Sequence, residues 1–287
     1  MFAARCANAD PDMHDSTEAA WSAIAAAAAE RYRKLGGHAY RFARSKLRRD
    51  GVFRALLAGG LVRPGARVLD LGCGQGLLAA LLSAAAQAAE RQCWPAGWPP
   101  APIGARLTGV DRLADDLERA RAALGDAAEF IQGDMRYPPD GTYDLIVFLD
   151  TLHYLEPPDQ LALLARTRTM LGAAGAMLLR VHDDAAPLRA AFGRWIDRCT
   201  SALYGGGFAP VHGRPVADWC AQLAVLGLRT VTCRVDGRAP FANRLIVARA
   251  MGPNALGADA LGSDSLDEDA TPPHALRRSA QSEEFPR

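Results

Sequence analysis

Three glycines at alternate positions separate two apolar segments of this chain. Gly72, Gly74 and Gly76 lie between the strand-like residues 68–71 and the helix-like residues 77–82. Glycine has no Cβ, so such a turn adopts positive φ without strain and lets a ligand approach the bare backbone. The free N–H groups of a following helix point into the same crevice. The sequence therefore predicts a ligand site at the carboxyl end of a first strand in an α/β fold.

Two side chains beside this turn limit the kind of ligand. Leu77 stands where a dinucleotide-binding fingerprint has its third glycine. Asp70 lies where a pyrophosphate would come near, and a carboxylate there would repel both phosphates. The same carboxylate favours a cofactor that carries an ammonium group and a sulfonium group. A dinucleotide-dependent oxidoreductase is therefore the least favoured function for this chain.

Strand-like and helix-like segments alternate after the glycine turn. This alternation is typical of a parallel sheet with helices on both faces. Asp111 ends the strand-like segment 108–111, and Asp134 follows the segment 129–132. Further strands are predicted within residues 143–149, 176–181, 228–235 and 244–250, and further helices within residues 160–171, 187–199 and 216–226.

In these motifs the sequence resembles the class I S-adenosylmethionine-dependent methyltransferases. The resemblance is carried by the glycine turn and by residues 108–111, 133–135 and 143–155. Four motifs in this order are a far more specific signal than the glycine turn alone. The resemblance implies a Rossmann-like α/β sheet of seven strands, mostly parallel, with the last strand antiparallel. The final two predicted strands would form its closing antiparallel hairpin.

The resemblance also implies roles for single residues. The glycine turn would hold the methionine part of S-adenosylmethionine, and Asp70 would engage its amino group. Asp111 would accept hydrogen bonds from both ribose hydroxyls. Asp134 would bind the adenine amino group, with Met135 against the ring. The predicted cofactor-binding residues are Asp70, Gly72, Cys73, Gly74, Gly76, Asp111, Arg112, Asp134, Met135 and Asp150.

For several of these residues a purely structural role is an alternative to cofactor binding. Asp111 is also suited to cap a helix, and Asp134 is also suited to a turn after Gly133. Cys73, in the middle of the turn, is expected to pack as a small residue rather than act as a nucleophile. The six cysteines show neither a Cys-x-x-Cys pair nor a metal-ligand spacing, so no metal site is predicted.

Methyl transfer from a sulfonium needs little from the protein. The expected contributions are in-line placement of the acceptor, exclusion of water and removal of a proton. His153 is the candidate general base because it follows the fourth strand at the methyl end of the cofactor. Its alternative role is only to shape the pocket. Tyr154 and His182 also lie at strand ends on the acceptor side and complete the predicted catalytic set.

One marked charge run precedes the first strand. Residues 31–49 hold eight lysines and arginines and no acid before Asp50. A solvated helix face explains this run as well as the recognition of an anion does. The candidate anions are a phosphopantetheine-bearing acyl carrier protein, a phospholipid surface and RNA phosphates. RNA is disfavoured because residues 150–153 replace the Asn/Asp-Pro-Pro-Tyr signature of base N-methyltransferases.

Composition divides the chain into four predicted regions. They are a disordered N-terminus (1–15), a helical lid whose first helix is capped by Asp15 (16–50), a class I methyltransferase domain (51–250) and a disordered tail (251–287). The tail is assigned because Pro, Ser, Asp and Glu replace the apolar pattern there. Residues 93–102 form an inserted Pro-rich loop, whose tryptophans either cap a pocket or pack back on their own domain.

The net charge of +1 provides no overall field that would favour nucleic acid, an acidic partner or a membrane. The scattered cysteines and the lack of a signal pattern predict a soluble, cytoplasmic protein.

A narrower resemblance is carried by residues 40–43, the segment around Trp195 and residues 240–243. They look similar to bacterial methyltransferases encoded beside fatty-acid-like synthesis of aryl polyene pigments.

The predicted function is methyl transfer to oxygen or carbon of a small-molecule or carrier-bound aryl or acyl acceptor, with S-adenosylmethionine as the cofactor. Two alternatives stay open. One is RNA methylation that uses residues 31–49, and the other is a noncatalytic role as a cofactor-binding partner protein.

Overall fold

Seven strands form one mixed sheet in the computed structural model, which describes residues 11–182, 212–235 and 243–250. The strands are β1 (Arg67–Leu71), β2 (Arg106–Asp111), β3 (Glu129–Gln132), β4 (Tyr143–Leu149), β5 (Leu171–His182), β6 (Leu228–Arg234) and β7 (Asn243–Ala250). Their order across the sheet is β3-β2-β1-β4-β5-β7-β6. β7 runs antiparallel to both of its neighbours, whereas the other pairs are parallel. The predicted Rossmann-like class I sheet is confirmed.

Helices cover both faces of the sheet. The α-helices of the described residues are α1 (Pro11–Glu30), α2 (Gly37–Arg49), α3 (Gly51–Ala58), α4 (Leu77–Glu90), α5 (Ala114–Leu124), α6 (Pro157–Thr169) and α7 (Val216–Val225). Successive strand residues point to opposite faces. β4 therefore contributes Leu145 and Val147 to a core shared with α1–α5, and Ile146 and Phe148 to a second core shared with α6 and α7. No helix within the described stretches is long and apolar enough to cross a membrane.

The N-terminal helices pack on the first of these cores. Trp21 and Ile24 of α1 are buried in it together with side chains of α4. α1 begins at Pro11, before the N-cap predicted at Asp15, which agrees with the preference for proline at the first helical position. In α2 the buried residues are Ala39, Ala43 and Leu47, spaced by one helical turn.

The starts of two elements that follow β4 differ from the prediction. α6 begins at Pro157 rather than at Gln160, again because proline is favoured in the first helical turn. β5 begins at Leu171, which pairs with Tyr143, rather than at Ala176. The register between β4 and β5 then shifts before Leu145 pairs with Ala176. Gly172 therefore lies inside a strand instead of ending a helix.

The tryptophans of the inserted loop turn inward. The rings of Trp94 and Trp98 meet edge to face with centroids 5.4 Å apart, and Trp98 lies 6.3 Å from Trp21 of α1. The indole nitrogen of Trp94 donates to the carbonyl of Pro99 at 2.9 Å. These contacts favour packing on the same domain over capping of a pocket. The predicted helix at 187–199 and the predicted tail at 251–287 lie outside the described residues.

Candidate functional site

The glycine turn after β1 closes on the neighbouring strand. The N–H groups of Gly72 and Cys73 both donate to the carbonyl of Val110 in β2, at 2.8 and 3.1 Å. Gly72 has φ +85° and packs so closely that an added Cβ would lie 2.1 Å from Cγ2 of Thr151. Gly74 has φ +50°, and a Cβ there would meet no atom within 4 Å. Gly72 is thus fixed by the fold, whereas Gly74 borders open space.

Asp70 is a buried carboxylate without a compensating cation among the described residues. Its side chain is 3% exposed, and no described residue forms an ion pair or hydrogen bond with it. Burial raises the pKa of Asp70 to about 7, and the neighbouring carboxylate of Asp111 adds to the shift. An isolated buried charge is costly. The turn therefore contains a negative site that a ligand cation would stabilise.

Asp111 joins the glycine turn to the helix that follows β2. Its Oδ2 accepts a hydrogen bond from the N–H of Gly74 at 2.8 Å, and its Oδ1 accepts one from the N–H of Leu113 at 2.9 Å. The helix cap that the sequence left open for Asp111 is not observed: Leu113 is the N-cap of α5, no side chain caps that helix, and Asp111 instead closes a turn with Leu113. Each carboxylate oxygen has a second lone pair, so ribose hydroxyls can share the same atoms.

Cys73 packs as a small residue. An added Cβ on Gly109 would lie 2.8 Å from the Cys73 sulfur, which shows how closely this thiol packs against β2. Burial, followed by the charges of Asp70 and Asp111, raises the pKa of the Cys73 thiol well above its usual value. A thiol held protonated is a poor nucleophile. The packing role predicted for this side chain is therefore supported.

The predicted adenine end lies beyond β2 and β3. Asp134 accepts hydrogen bonds from Nε and Nη2 of Arg136 at 3.1 and 2.7 Å, and the hydrogen bond from Arg136 lowers the pKa of Asp134. Met135 is half-buried and packs on the second core. Arg112 is exposed, and its carbonyl accepts from the Gln132 amide at 3.3 Å. An ionised carboxylate beside an apolar thioether is a suitable surface for an adenine ring and its amino group.

The carboxyl ends of β4 and β5 form the opposite end, which we call the methyl end. His153 is buried in the short turn after β4, and its ring centroid lies 4.3 Å from that of the exposed Tyr154. His182 is the last residue of β5, where it pairs with Asn243 of β7. The structure thus brings His153 and Tyr154 into contact and puts His182 at a nearby strand end.

A buried amide fixes the turn that carries His153. Gln160 of α6 is fully buried, and its Nε2 lies 3.1 Å from the carbonyls of Leu152 and Leu155 and 2.8 Å from that of His212. The N–H of His212 donates to the carbonyl of His153 at 2.8 Å. Gln160 therefore acts as a positioning residue, because it ties both ends of this turn to the helix below.

A buried ion network joins the methyl end to the N-terminal helices. Arg180 of β5 is 5% exposed and contacts the carboxylates of Asp150 and Asp50, with a distance of 2.6 Å from its Nε to Oδ1 of Asp150. Lys46 of α2 lies 3.0 Å from Asp50 and 3.6 Å from Asp150. Burial opposes the charge of Arg180, but the two carboxylates outweigh it, so the pKa of the guanidinium is raised.

Asp150 therefore has a structural partner in addition to its predicted cofactor role. It is a non-glycine residue at φ +57°, a conformation that its bonds to Arg180 help to hold. The next residue, Thr151, donates from its hydroxyl to the carbonyl of Leu71 at 3.0 Å and places its methyl group against Gly72. The network around Arg180 is in this way connected to the glycine turn.

Sequence patterns alone do not single out Thr151 or Gln160. Thr151 and Gln160 act through backbone carbonyls that only the tertiary fold brings near. Arg180 does leave a signal, because it is the one charge in the apolar segment 176–181. A charge at such a position requires a buried partner, although its identity cannot be deduced from spacing.

Replacing Gly74 by alanine tests whether the open space beside it is the cofactor crevice. We expect the unfolding free energy to fall by about 1 kcal/mol, the cost of φ above zero for alanine, and cofactor affinity to fall about 10-fold or more. Gly227→Ala is the matched control, since Gly227 has φ +71° and equal free space. Calorimetric titration should show normal cofactor affinity for Gly227→Ala. Equal affinities for both variants would place the cofactor elsewhere.

The comparisons with known proteins agree with this geometry. Residues 38–221 match a family described as a methyltransferase domain. The trans-aconitate 2-methyltransferase of Escherichia coli strain 55989 is 33% identical over 118 residues, which are 41% of this chain and 39% of that protein. The same enzyme from Shigella flexneri serotype 5b has the same identity over the same length. The match therefore spans about two fifths of these relatives.

Solved structures share the fold at low sequence identity. The pyocyanin biosynthetic protein PhzM has a TM-score of 0.51 and 18% identity, over 74% of this chain and 58% of that one. The magnesium protoporphyrin IX methyltransferase ChlM from Synechocystis PCC 6803, solved with bound SAH, has a TM-score of 0.50 and 20% identity. That match covers 77% of this chain and 94% of ChlM. With its sheet order, its glycine turn and a family match over more than half its length, the chain belongs to the class I S-adenosylmethionine-dependent methyltransferases.

Proposed function

We propose that this methyltransferase transfers a methyl group to oxygen or carbon of an aryl or acyl acceptor, either as a free small molecule or bound to a carrier. The observation that carries the cofactor assignment is Asp70, a buried carboxylate without a cation partner in the described structure. The small-molecule acceptor is supported by relatives named for such substrates, including trans-aconitate 2-methyltransferase and the mitomycin 7-O-methyltransferase MmcR. MmcR is 22% identical with a TM-score of 0.51, over 74% of this chain and 56% of its own.

The predicted cofactor residues divide into three groups along the crevice. Asp70 binds the amino group of the methionine part, and Gly72, Gly74 and Gly76 let that part approach the backbone, with Cys73 packed behind them. Asp111 and Arg112 flank the ribose. Asp134 and Met135 contact the adenine. In this arrangement Asp150 contributes through the turn that it fixes beside the glycines.

Methyl transfer then depends mainly on placement. S-adenosylmethionine supplies the activated methyl group. The turn after β4 must hold the acceptor atom in line with that group while apolar residues exclude water. His153 removes the acceptor proton where the acceptor has one, and Tyr154 and His182 shape the acceptor side. Residues 16–50 act as the helical lid that covers this end of the domain.

Substitution of His153 by asparagine separates its two possible roles. If His153 is the base, turnover should fall about 100-fold while cofactor affinity stays unchanged, since a general base acts only on the transition state. Tyr154→Phe is the control, because it keeps the ring next to His153 and removes only a hydroxyl. Initial rates should be measured over a range of pH. Equal turnover of His153→Asn and wild type at every pH would reduce His153 to a pocket-shaping residue.

Methyl-labelled S-adenosylmethionine and an extract of the host provide the test of the acceptor class. We expect label in the solvent-extractable or the carrier-protein fraction. Label in RNA would support the second candidate, RNA methylation, which is favoured only by the basic residues of α2. Cofactor binding without label in any fraction would favour the noncatalytic partner role.

A further inference from the structure

Four arginines cover the outer surface of α2, and we call Arg41, Arg44, Arg48 and Arg49 the arginine face. All four are exposed and, with Ser45, line a groove of about 280 Å³. None of them forms an ion pair or a hydrogen bond through its side chain in the part of the chain that the structure describes. Other cations of the N-terminal region are engaged: Arg33 pairs with Glu30, Lys46 with Asp50 and Arg54 with Glu18.

We propose that the arginine face is the docking surface for an acidic carrier protein that presents a tethered acceptor to the methyl end. This inference rests on the proposed function and deepens it by naming the partner. The four guanidinium groups extend over two helical turns, about 12 Å of helix axis. A helix with carboxylates at spacings of three and four residues matches them in length and in charge.

The surroundings of the arginines favour a protein over RNA. Single-stranded nucleic acid is bound by cationic side chains interleaved with exposed aromatic rings. In the sequence of α2 aromatic and basic residues alternate, but the helical period separates them. Tyr40 and Phe42 pack against the core, and Tyr40 also stacks under Arg33 at 4.4 Å. The arginine face therefore offers charge without a stacking platform.

A lipid surface is disfavoured on similar grounds. Helices that lie on membranes insert apolar side chains beside their basic ones. The described residues that line the groove on α2 are four arginines and Ser45, and the apolar residues Ala39, Ala43 and Leu47 of the helix are buried. Of the two parts of a membrane anchor, the described surface of α2 therefore carries the ionic one. An acidic protein surface needs no more than that part.

The position of α2 explains why docking there would serve catalysis. Lys46, which neighbours Ser45 in the chain, lies 3.6 Å from Asp150 at the carboxyl end of β4. Lys46 faces the methyl end from the other side of the helix, so a partner held on the arginine face stands one helix diameter, about 10 Å, from that end. A flexible arm from that partner needs only to pass the edge of α2 to bring an acceptor to His153.

Binding of a purified holo acyl carrier protein, an acidic helical protein, tests the proposal without activity. The triple variant Arg41→Gln, Arg44→Gln, Arg48→Gln should bind it about 10-fold more weakly at low salt, and the wild-type affinity should fall at high salt. The control triple variant replaces Arg91, Arg106 and Arg166, which are also exposed and unpaired in the described structure. Its affinity should equal that of the wild type.

Label transfer in host extract separates this proposal from the function on which it rests. The triple variant in α2 should lose label in the carrier fraction and keep normal cofactor affinity. Equal carrier binding by wild type and this variant, or no carrier binding by the wild type, would overturn the docking surface. The proposal would also be overturned if the wild-type protein bound an RNA oligonucleotide or anionic vesicles through the same arginines and did not bind the carrier protein. Absence of label in every fraction would instead contradict the proposed function.

Discussion

Replacing Asp70 by asparagine is expected to abolish tight cofactor binding and, at the same time, to stabilise the ligand-free protein. A neutral amide cannot form an ion pair with the ammonium group of S-adenosylmethionine, and loss of a buried charged partner should weaken binding about 100-fold or more. The stabilisation follows from the buried charge itself. In the ligand-free protein the carboxylate of Asp70 has no described cation partner and faces a second carboxylate, Asp111.

The pH dependence of stability has a definite sign. The pKa of Asp70 is about 7 in the folded protein against 3.8 for an ordinary aspartate. Between these values the folded protein holds the proton and the unfolded chain does not, so the unfolding free energy falls as the pH rises through this range. The ionised group costs the fold about 2–4 kcal/mol above pH 7. We therefore expect Asp70→Asn to be the more stable protein at pH 8 and nearly equal to wild type at pH 4.

Cofactor binding should show the opposite dependence. Bound ammonium favours ionised Asp70, so wild-type affinity should fall as the pH drops below about 7, by up to about 10-fold per pH unit. Asp70→Asn should lack this slope. Denaturant unfolding and calorimetric titration at several pH values measure both effects. An Asp70→Asn protein that binds the cofactor as the wild type does would remove Asp70 from the site.

Replacing Arg180 by methionine should cause the largest loss of stability, about 3–5 kcal/mol. The change leaves the carboxylates of Asp50 and Asp150 close together beside the half-exposed Lys46, without the buried guanidinium that joins them. Asp150 then loses a bond that holds its φ at +57°, and Thr151 loses its fixed position against Gly72. Cofactor affinity should therefore fall together with the free energy of unfolding.

Arg168→Met is the matched control for this experiment. Arg168 is half-buried, and its Nε donates to a neutral acceptor, the carbonyl of Leu226, at 3.0 Å. Its loss should cost only about 1–2 kcal/mol and leave cofactor affinity unchanged. Adding Asp150→Asn to Arg180→Met should restore part of the stability, since asparagine tolerates the same φ and removes one of the two charges. If Arg180→Met were no less stable than Arg168→Met, the network would have no role in holding the methyl end.

Local features of the sequence predict the fold well, whereas the cofactor residues that they indicate stay a prediction. The glycine turn, the strand ends at Asp111 and Asp134 and the loop after β4 are encoded by residues adjacent in the chain, and the seven-stranded sheet implied by the resemblance is observed. Contacts between residues that are far apart in the chain could not be predicted in this way. Arg180 needs Asp50 and Asp150, and Gln160 needs His212, and no local pattern pairs residues so far apart.

The helix α2 shows a second reason for incomplete prediction. Aromatic and basic residues alternate at Tyr40, Arg41 and Phe42, and four more basic residues follow up to Arg49. The buried stripe consists of Ala39, Ala43 and Leu47, of which two are small residues that give a weak hydrophobic signal. The structure shows which side of α2 this stripe faces. The aromatic side chains lie toward the core with it, and the arginine face lies on the other side. The start of β5 also differs from the prediction. Leu171 joins the sheet through a shifted register, and such a shift leaves no trace in the periodicity of the sequence.

A crystal structure of the protein with S-adenosylhomocysteine would test the central claim most directly. We expect the amino group of the ligand within about 3.2 Å of the Asp70 carboxylate. Its ribose hydroxyls should donate to Asp111, and its adenine should lie between Asp134 and Met135. A ligand whose amino group is held by another acid, or whose ribose leaves Asp111 bound only to Gly74 and Leu113, would contradict the assignment of this crevice.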